Sequence, residues 1–562
     1  MLLSPWKAMR RLLAPRGQPL GRGRPGRSGV SGCRDPKSCE GESPDDSGKE
    51  PLRGSLVQDL QRIREEFGNS ADLVIRELRA GNKGRVLAAI VHIEGLIDRR
   101  LVSEAIVMRI ADSDRTWDDS KQAFIDLKER FLASTSLEET GMLDRFISCI
   151  SAGQCGVLLD GIPRGLICGV QGWSQRSPEE PTTETTIRGS KEGFVESLRT
   201  NTSLLRRRIM SPRLWIEERK IGTLGRTGVA IAYVEGVANA KTVQEVRNRL
   251  DRIDVDAIQE SGQLEEYIED APFSPFPTVI RTERPDRVVG NLLEGRVALL
   301  TDGTPFVLVV PVTFMMCLSS PEDYFERSLM ASPLRFIRVI AFMMSLILPS
   351  IYVSVTTFHQ EMLPTPLILN IAAQREGVPF PAVIEALVME LTFEIMREAG
   401  VRLPRIVGPA ISIVGTLVLG DAAIRAGLVS PAMVVVVAAT GIASLATPSF
   451  SLAVGVRILR FLMILLAGTL GMFGVWAGLF ALFTHLAALR SFGVPFFEPL
   501  APLVLSDLKD ALVVFPWWGM RTRPLFTGGS NPVRQGPRAK PEPPSGSDRE
   551  ISDAGGGERG RR

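Results

Sequence analysis

Almost every long apolar run in this 562-residue chain lies after Phe336, while the residues before it mix charged and apolar side chains as a soluble protein does. A chain divided in this way has to satisfy two solvents. Residues 336–355 form a 20-residue run with one charge, Arg338, near its start and Pro349 within it, which is long enough to cross or nearly cross a bilayer. The runs at 408–420 and 433–446 are shorter, and 461–489 is long enough to cross with tilt or to hold a break. Asp421, Arg425, Arg457 and Arg460 stand between these runs. Four to six membrane segments fit residues 320–524. Basic flanks at Arg335, Arg338, Arg521 and Arg523 are expected to hold both ends of the region on the cytoplasmic side.

Inside this apolar half, residues 375–404 read REGVPFPAVIEALVMELTFEIMREAGVRLP. Pro379 and Pro381 before the helical pattern, and Gly400 and Pro404 at its end, are start and stop signals. At 100° per residue, Glu390, Glu394 and Glu398 fall within about 80° of one another, and Glu385 lies on the opposite side. A carboxylate stripe at membrane depth is costly unless it faces water or a partner, so it marks a candidate site. The plainer alternative is an interfacial helix whose carboxylates are solvated or paired, Glu398 with Arg402 four residues on. Pro349 and Gly400, at the ends of apolar segments, are candidate hinges.

The soluble half alternates helical and strand periods from Gly54 to Cys317, as an α/β or α+β region does. It also repeats. LAAIVHIEGLID at 87–98 matches GVAIAYVEGVAN at 228–239, Glu94-Gly95 standing opposite Glu235-Gly236 at a lag of 141. VLLDGIP at 157–163 matches LLTDGTP at 299–305, and the Asp-Gly pairs are 142 apart. Two related modules are expected, each running from a strand that ends in Glu-Gly, through helices, to a hairpin turned at Asp-Gly. Residues 192–208 read as a basic amphipathic helix whose Arg199, Arg206, Arg207 and Arg208 form a solvated face, or a contact to anionic lipid. The expected division is a disordered basic tail (1–53), a first soluble module (54–178), a linker helix with the second module (179–319), an all-α membrane domain (320–524) and a disordered tail (525–562).

Several function classes drop out. A net charge of +3 without an aromatic-interleaved basic patch argues against nucleic acid as a partner. None of the six cysteines forms a CxxC pair and only three histidines exist, so zinc spacing is missing and no cofactor is expected. Cys149, Cys155 and Cys168 read as small buried apolar residues. Gly21, Gly23 and Gly26 spell GxGxxG without the strand and helix a dinucleotide site requires. No nucleophile motif or P-loop appears, His92, His359 and His485 are dispersed, and an enzyme is not expected. The first residues lack the continuous apolar core of a secretory signal, so the N-terminal half is expected to stay on the side where it is made.

Taken together, TTIRGSKEGFVESLRTNTSLLRRRI, FPTVIRTERPDRV, EGRVALLTDGTPFVLVVP, SPEDYFER, TFHQEMLPTPLI, the acidic helix and LRSFGVPFFEPLAP resemble the A subunit of GerA-type spore germination receptors over residues 73–524. The resemblance implies a multi-pass protein of the inner spore membrane in endospore-forming bacteria, with a two-part N-terminal domain on the cytoplasmic, core side. It implies a transporter-like B subunit that binds the nutrient, a lipoprotein C subunit, and a homo-oligomeric ring that conducts monovalent cations when nutrient is sensed. Phe496, Phe497, Glu498 and Asp421 depart from the family's usual pattern. In such a ring, Glu390, Glu394 and Glu398 would form rings of carboxylates lining a pore or vestibule, which attract cations. The alternatives are a non-conducting scaffold, an accessory sporulation membrane protein of the same family, or a secondary transporter. A transporter would need inverted repeats, whereas the repeat here lies in the soluble half.

Overall fold

Strand composition is strongest in two eight-residue stretches 141 residues apart, and both form the second strand of a sheet. The computed structural model describes residues 50–541 other than 81–85, 112–116, 118, 133–135, 173–180, 182, 183, 185, 403–419, 530 and 537–539. Its first sheet contains β1 (Leu73–Ala80), β2 (Val86–Ile93), β3 (Ser136–Thr140), β4 (Cys155–Leu159) and β5 (Gly165–Gly169) in the order β1-β2-β4-β5-β3, every neighbour antiparallel. The helices α1 (Leu56–Glu66), α2 (Ser120–Leu132) and α3 (Leu143–Ser151) cover it. Ala89, Val91 and Ile93 pack with α1 and α3 on one face, while Ala88 and Ile90 pack with α2 and the helical residues 99–110 on the other. Burial on both faces is why β2 reads as an apolar run interrupted only by His92.

The second module repeats this plan. β6 (Leu214–Ile221), β7 (Thr227–Val234), β8 (Ile280–Thr282), β9 (Val297–Thr301) and β10 (Val307–Val310) are ordered β6-β7-β9-β10-β8, again all antiparallel. The helices α4 (Leu198–Arg208) and α7 (Pro285–Leu293) lie on its Ala230 and Ala232 face, and α5 (Ala240–Asp251) and α6 (Ser261–Ile268) on its Ile231 and Tyr233 face. The hairpins do turn at Asp-Gly, where Gly161 (φ +84°) and Gly303 (φ +91°) take the left-handed conformation that β-carbons disfavour. Each turn aspartate also caps a helix. Asp160 Oδ1 accepts from the Leu56 amide at 3.1 Å and Asp302 Oδ1 from the Leu198 amide at 3.0 Å. The duplicated unit therefore opens with a helix, α1 or α4, and not with the strand expected from the repeat alone. Antiparallel pairing throughout makes both modules α+β.

The arginine run overturns its expected role. Helix α4 starts at Leu198, six residues later than the sequence pattern suggested, and Glu192 stays outside it to pair with Arg207 and Arg208. Arg206 is not solvated. It is 1% exposed and reaches into the first module, where Nε and Nη2 donate to Asp72 at 2.7 and 3.0 Å and Nη2 also donates to Ser70 Oγ at 3.0 Å.

A helical bundle follows, made of α8 (Ser328–Thr357), α9 (Thr365–Arg375), α10 (Ala382–Arg402), α11 (Pro431–Leu445), α12 (Phe450–Leu470) and α13 (Met472–Ala488). Helices α8 and α12 are long and apolar enough to cross a membrane, and α11 and α13 are apolar but have 15 and 17 residues. The expected segment at 408–420 lies almost wholly outside the described residues. The run at 461–489 does hold a break, at Gly471 (φ +61°), between α12 and α13. Arg335 and Arg338, expected as membrane flanks, bond to Asp323, and Arg335 also to Asp510.

One apolar core joins the second module to this bundle. It runs from Ala232 and Leu300 through Val312 and Phe314 to Phe342, Val456 and Phe496. Beyond α13 the chain forms a short hairpin, β11 (Arg490–Ser491) with β12 (Val494–Pro495), and then returns to the second module. There the Gly529 amide donates to Val237 O at 2.7 Å, Gly528 bridges to Ala238 and Thr527 is 1% exposed, so residues 525–529 pack on the second module just beyond β7.

Candidate functional site

Helix α10 carries the four glutamates as the spacing predicted, but its neighbours change their meaning. Glu390 is 0% exposed and its Oε2 accepts from Arg460 Nη1 at 2.6 Å. Glu394 accepts from Arg457 Nη1 at 3.1 Å and lies 3.6 Å from Arg397 Nη1. Glu398 pairs with Arg402 on the exposed surface at 2.7 Å. On the opposite side, Glu385 is 1% exposed and accepts from the amide and hydroxyl of Ser430 at 2.6 and 2.5 Å. Ser430 caps α11, so the Glu385 carboxylate rests at the positive end of that helix dipole.

Arg457 and Arg460 are therefore not loop residues between apolar runs. They lie inside α12, three residues apart, and face the i,i+4 pair Glu390 and Glu394 on α10. Charges tolerated within an apolar helix need partners, and these two have them. The sequence signal lies in the matched spacing of two acids and two bases on two helices, which composition hides because each charge interrupts an apolar run.

Pro349 joins the same site. It lies in the interior of the 30-residue α8 and not at an end, and it has no amide proton to give the Ser345 carbonyl one turn before it. Arg460 Nε supplies that proton donor instead, at 2.8 Å. One guanidinium thus links the proline's orphaned carbonyl on α8 to Glu390 on α10. The pair is not saturated, because Glu390 Oε1 and Arg460 Nη2 are buried without hydrogen-bond partners. Gly400 lies in the last turn of α10, and residues 403–419 are outside the described set.

Close packing holds α10 in this position. A β-carbon on Gly441 of α11 would stand 2.4 Å from the Phe393 ring, and one on Gly468 of α12 would stand 2.3 Å from Val383. Among the described residues no group of three His, Cys, Asp or Glu side chains is placed to hold a metal ion. What the site can do chemically is exchange partners, since two carboxylates and three guanidinium groups share one apolar interior.

A duplicated α+β unit, its second module sharing a core with apolar helices that hold internal ion pairs, defines a membrane-associated class of protein. Its sequence gives the class a family. Residues 61–526 match the model for the Bacillus/Clostridium GerA spore germination protein, and the chain belongs to that family. It is 46% identical to Spore germination protein KA of Bacillus subtilis (strain 168) over 489 residues, 87% of this chain and 90% of that protein. It is 40% identical to the uncharacterized membrane protein YfkQ of the same strain over 502 residues (89% and 96%), and 39% identical to Spore germination protein A1 over 469 residues (83% and 94%). The crystal structure of the N-terminal domain of the A subunit of the Bacillus megaterium spore germinant receptor GerK3 covers 47% of this chain and 98% of its own, with 36% identity and a TM-score of 0.38.

Proposed function

We infer that the chain is the A subunit of a nutrient-responsive germination receptor and that copies of it form a cation channel in the inner spore membrane. The buried pair of Glu390 and Arg460, unsaturated and tied to the proline of α8, carries this reading. In the closed channel, Arg460 and Arg457 hold Glu390 and Glu394, and the passage presents no free carboxylate. A partner B subunit senses the nutrient, a lipoprotein C subunit completes the receptor, and the soluble modules face the spore core. Opening moves α8 about Pro349 and α10 about Gly400, withdraws the arginines, and leaves Glu390 and Glu394 facing the ion path, with Glu398 at its vestibule. No enzymatic step is assigned.

The test is monovalent cation release from spores carrying Glu390→Gln or Glu394→Gln at normal receptor abundance. Conduction through this face requires altered release. Wild-type release from correctly assembled variants rejects it. A second reading has its own support: each of the four glutamates of α10 has a cationic or helix-dipole partner within the chain, as a non-conducting scaffold would arrange them. Recording from the purified chain in bilayers, alone and with its B subunit, separates conduction from scaffolding.

A further inference from the structure

Away from α10, a cavity of about 190 Å³ lies between α7, the connector at 313–325 and the segment that returns at 498–534. Three arginines and five acids stand in its wall, and the hydrogen bonds can be counted residue by residue. Arg287 is bound by Glu184, and Arg296 and Arg534 by Glu294. Asp286 accepts from Arg284 at 2.6 Å, Asp510 from Arg335 and from the Tyr324 hydroxyl, each at 3.0 Å, and Asp507 from the Leu525 amide and the Ser506 hydroxyl, each at 2.8 Å. Glu498 is the exception. It is 3% exposed, and neither carboxylate oxygen has a hydrogen-bond donor.

A buried carboxylate without donors is expensive, and although Arg287 Nη2 and Arg296 Nε in the same wall are also without partners, neither bonds to it, each guanidinium being held by another acid. Burial, then the charge of Asp507, push the Glu498 carboxyl up to about 7 against the pull of Arg296, and a hydrogen bond that the protonated carboxyl can share with Asp507 adds to the rise. A ligand carrying its own positive charge would supply what is missing. The rest of the wall describes that ligand's other end: Met315, Met316, Phe325 and Trp517 offer apolar surface. A bare metal ion fits poorly, because no three metal-ligating side chains converge among the described residues and the space exceeds one ion.

We propose that the cavity binds a small primary ammonium compound, its charged nitrogen paired with Glu498 and its short apolar body against Met315, Met316 and Trp517. The competing possibility is that Glu498 simply shares a proton with Asp507 and the cavity holds only water. This inference does not depend on conduction through α10.

Propylammonium serves as the probe, propanol as its uncharged counterpart and sodium chloride as the ionic control. Binding to the purified full chain in detergent is read by ligand-observed NMR titration at pH 8.5, where Glu498 is ionised. Saturable propylammonium binding is expected, with propanol and the Glu498→Gln variant each weaker by about tenfold or more, the scale of one lost charge-assisted hydrogen bond. Gly290→Phe provides a plug that should fold. Gly290 lies in the cavity wall, and a β-carbon there meets nothing within 4 Å. This variant should abolish binding. No saturable binding to the wild type, or binding of equal strength in Glu498→Gln, overturns the proposal. Binding lost in Glu498→Gln but kept in Gly290→Phe overturns the cavity as its location.

Discussion

The soluble modules and the helical bundle each bury an arginine with an acid, and they do so differently. Between the modules, Arg206 spends its donors on Asp72, Ser70 Oγ and the Ser211 carbonyl, and both Asp72 oxygens are bonded. In the bundle, Arg460 and Glu390 share a single bond at 2.6 Å and leave one nitrogen and one oxygen without partners. A saturated pair has one favourable arrangement and acts as a clamp. An unsaturated pair near Arg397, Arg457 and Glu394 has other partners within its network, so its arrangement is easier to change. The two parts of the molecule thus place rigidity and adaptability in the same chemistry.

The largest effect is expected at the clamp. Arg206→Met strands Asp72 in the interior and should cost about 3–5 kcal/mol, seen as a lower unfolding midpoint of the full chain and as cleavage between the modules under limited proteolysis. A loss below about 1 kcal/mol would break the contrast, since the clamp would then be no tighter than a surface pair.

Next in size is a pH effect confined to the first module. His92 of β2 is pushed down to about 4, by burial first and by Arg99 as a lesser cause, against the raising effect of Glu94. Its folded pKa lies below the unfolded 6.5, so the unfolded chain binds the extra proton. The stability it contributes is complete above pH 6.5 and is lost as pH falls toward 4, by about 3 kcal/mol in all. His92→Gln should flatten that stretch of the stability profile, and an unchanged profile would show that acid acts elsewhere.

At the bundle, Arg460→Lys keeps the charge but cannot serve both Glu390 and the Ser345 carbonyl with the same fork. A loss of about 1–3 kcal/mol in detergent stability is expected, and adding Pro349→Ala, which gives Ser345 a helical donor, should recover part of it. Absence of recovery would separate the proline from the ion pair. The smallest effect belongs to Glu398→Gln, whose exposed i,i+4 pair with Arg402 contributes about 0.5 kcal/mol or less. A larger loss would show that this surface is covered in the assembled protein.

Much of the soluble fold was legible because its signals are local. The Asp-Gly turns and the apolar runs of β2 and β7 repeat at nearly the same lag, and that repetition marks the duplication. The role of Arg206 was not legible, because three consecutive arginines look alike in sequence and only the neighbouring module selects which one is buried. Arg457 and Arg460 were misplaced for a related reason. A charge inside an apolar run ends the run by composition, and only the facing acids of α10 restore it to a helix. Glu398 with Arg402 lies within one helix turn, and that contact could be read directly.

The common core of the second module and the bundle also sets an order for synthesis. The first module has all five of its strands once the ribosome has passed Gly169, whereas the second module's sheet is complete at Val310 but receives its last cover only at Gly529. At about 5–20 residues per second, the roughly 220 residues between those points take on the order of 10 to 45 seconds. For most of that interval Phe314 lacks two of its ring partners, Phe496 and Phe497. The second half of a duplicated protein thus completes its core on a different clock from the first.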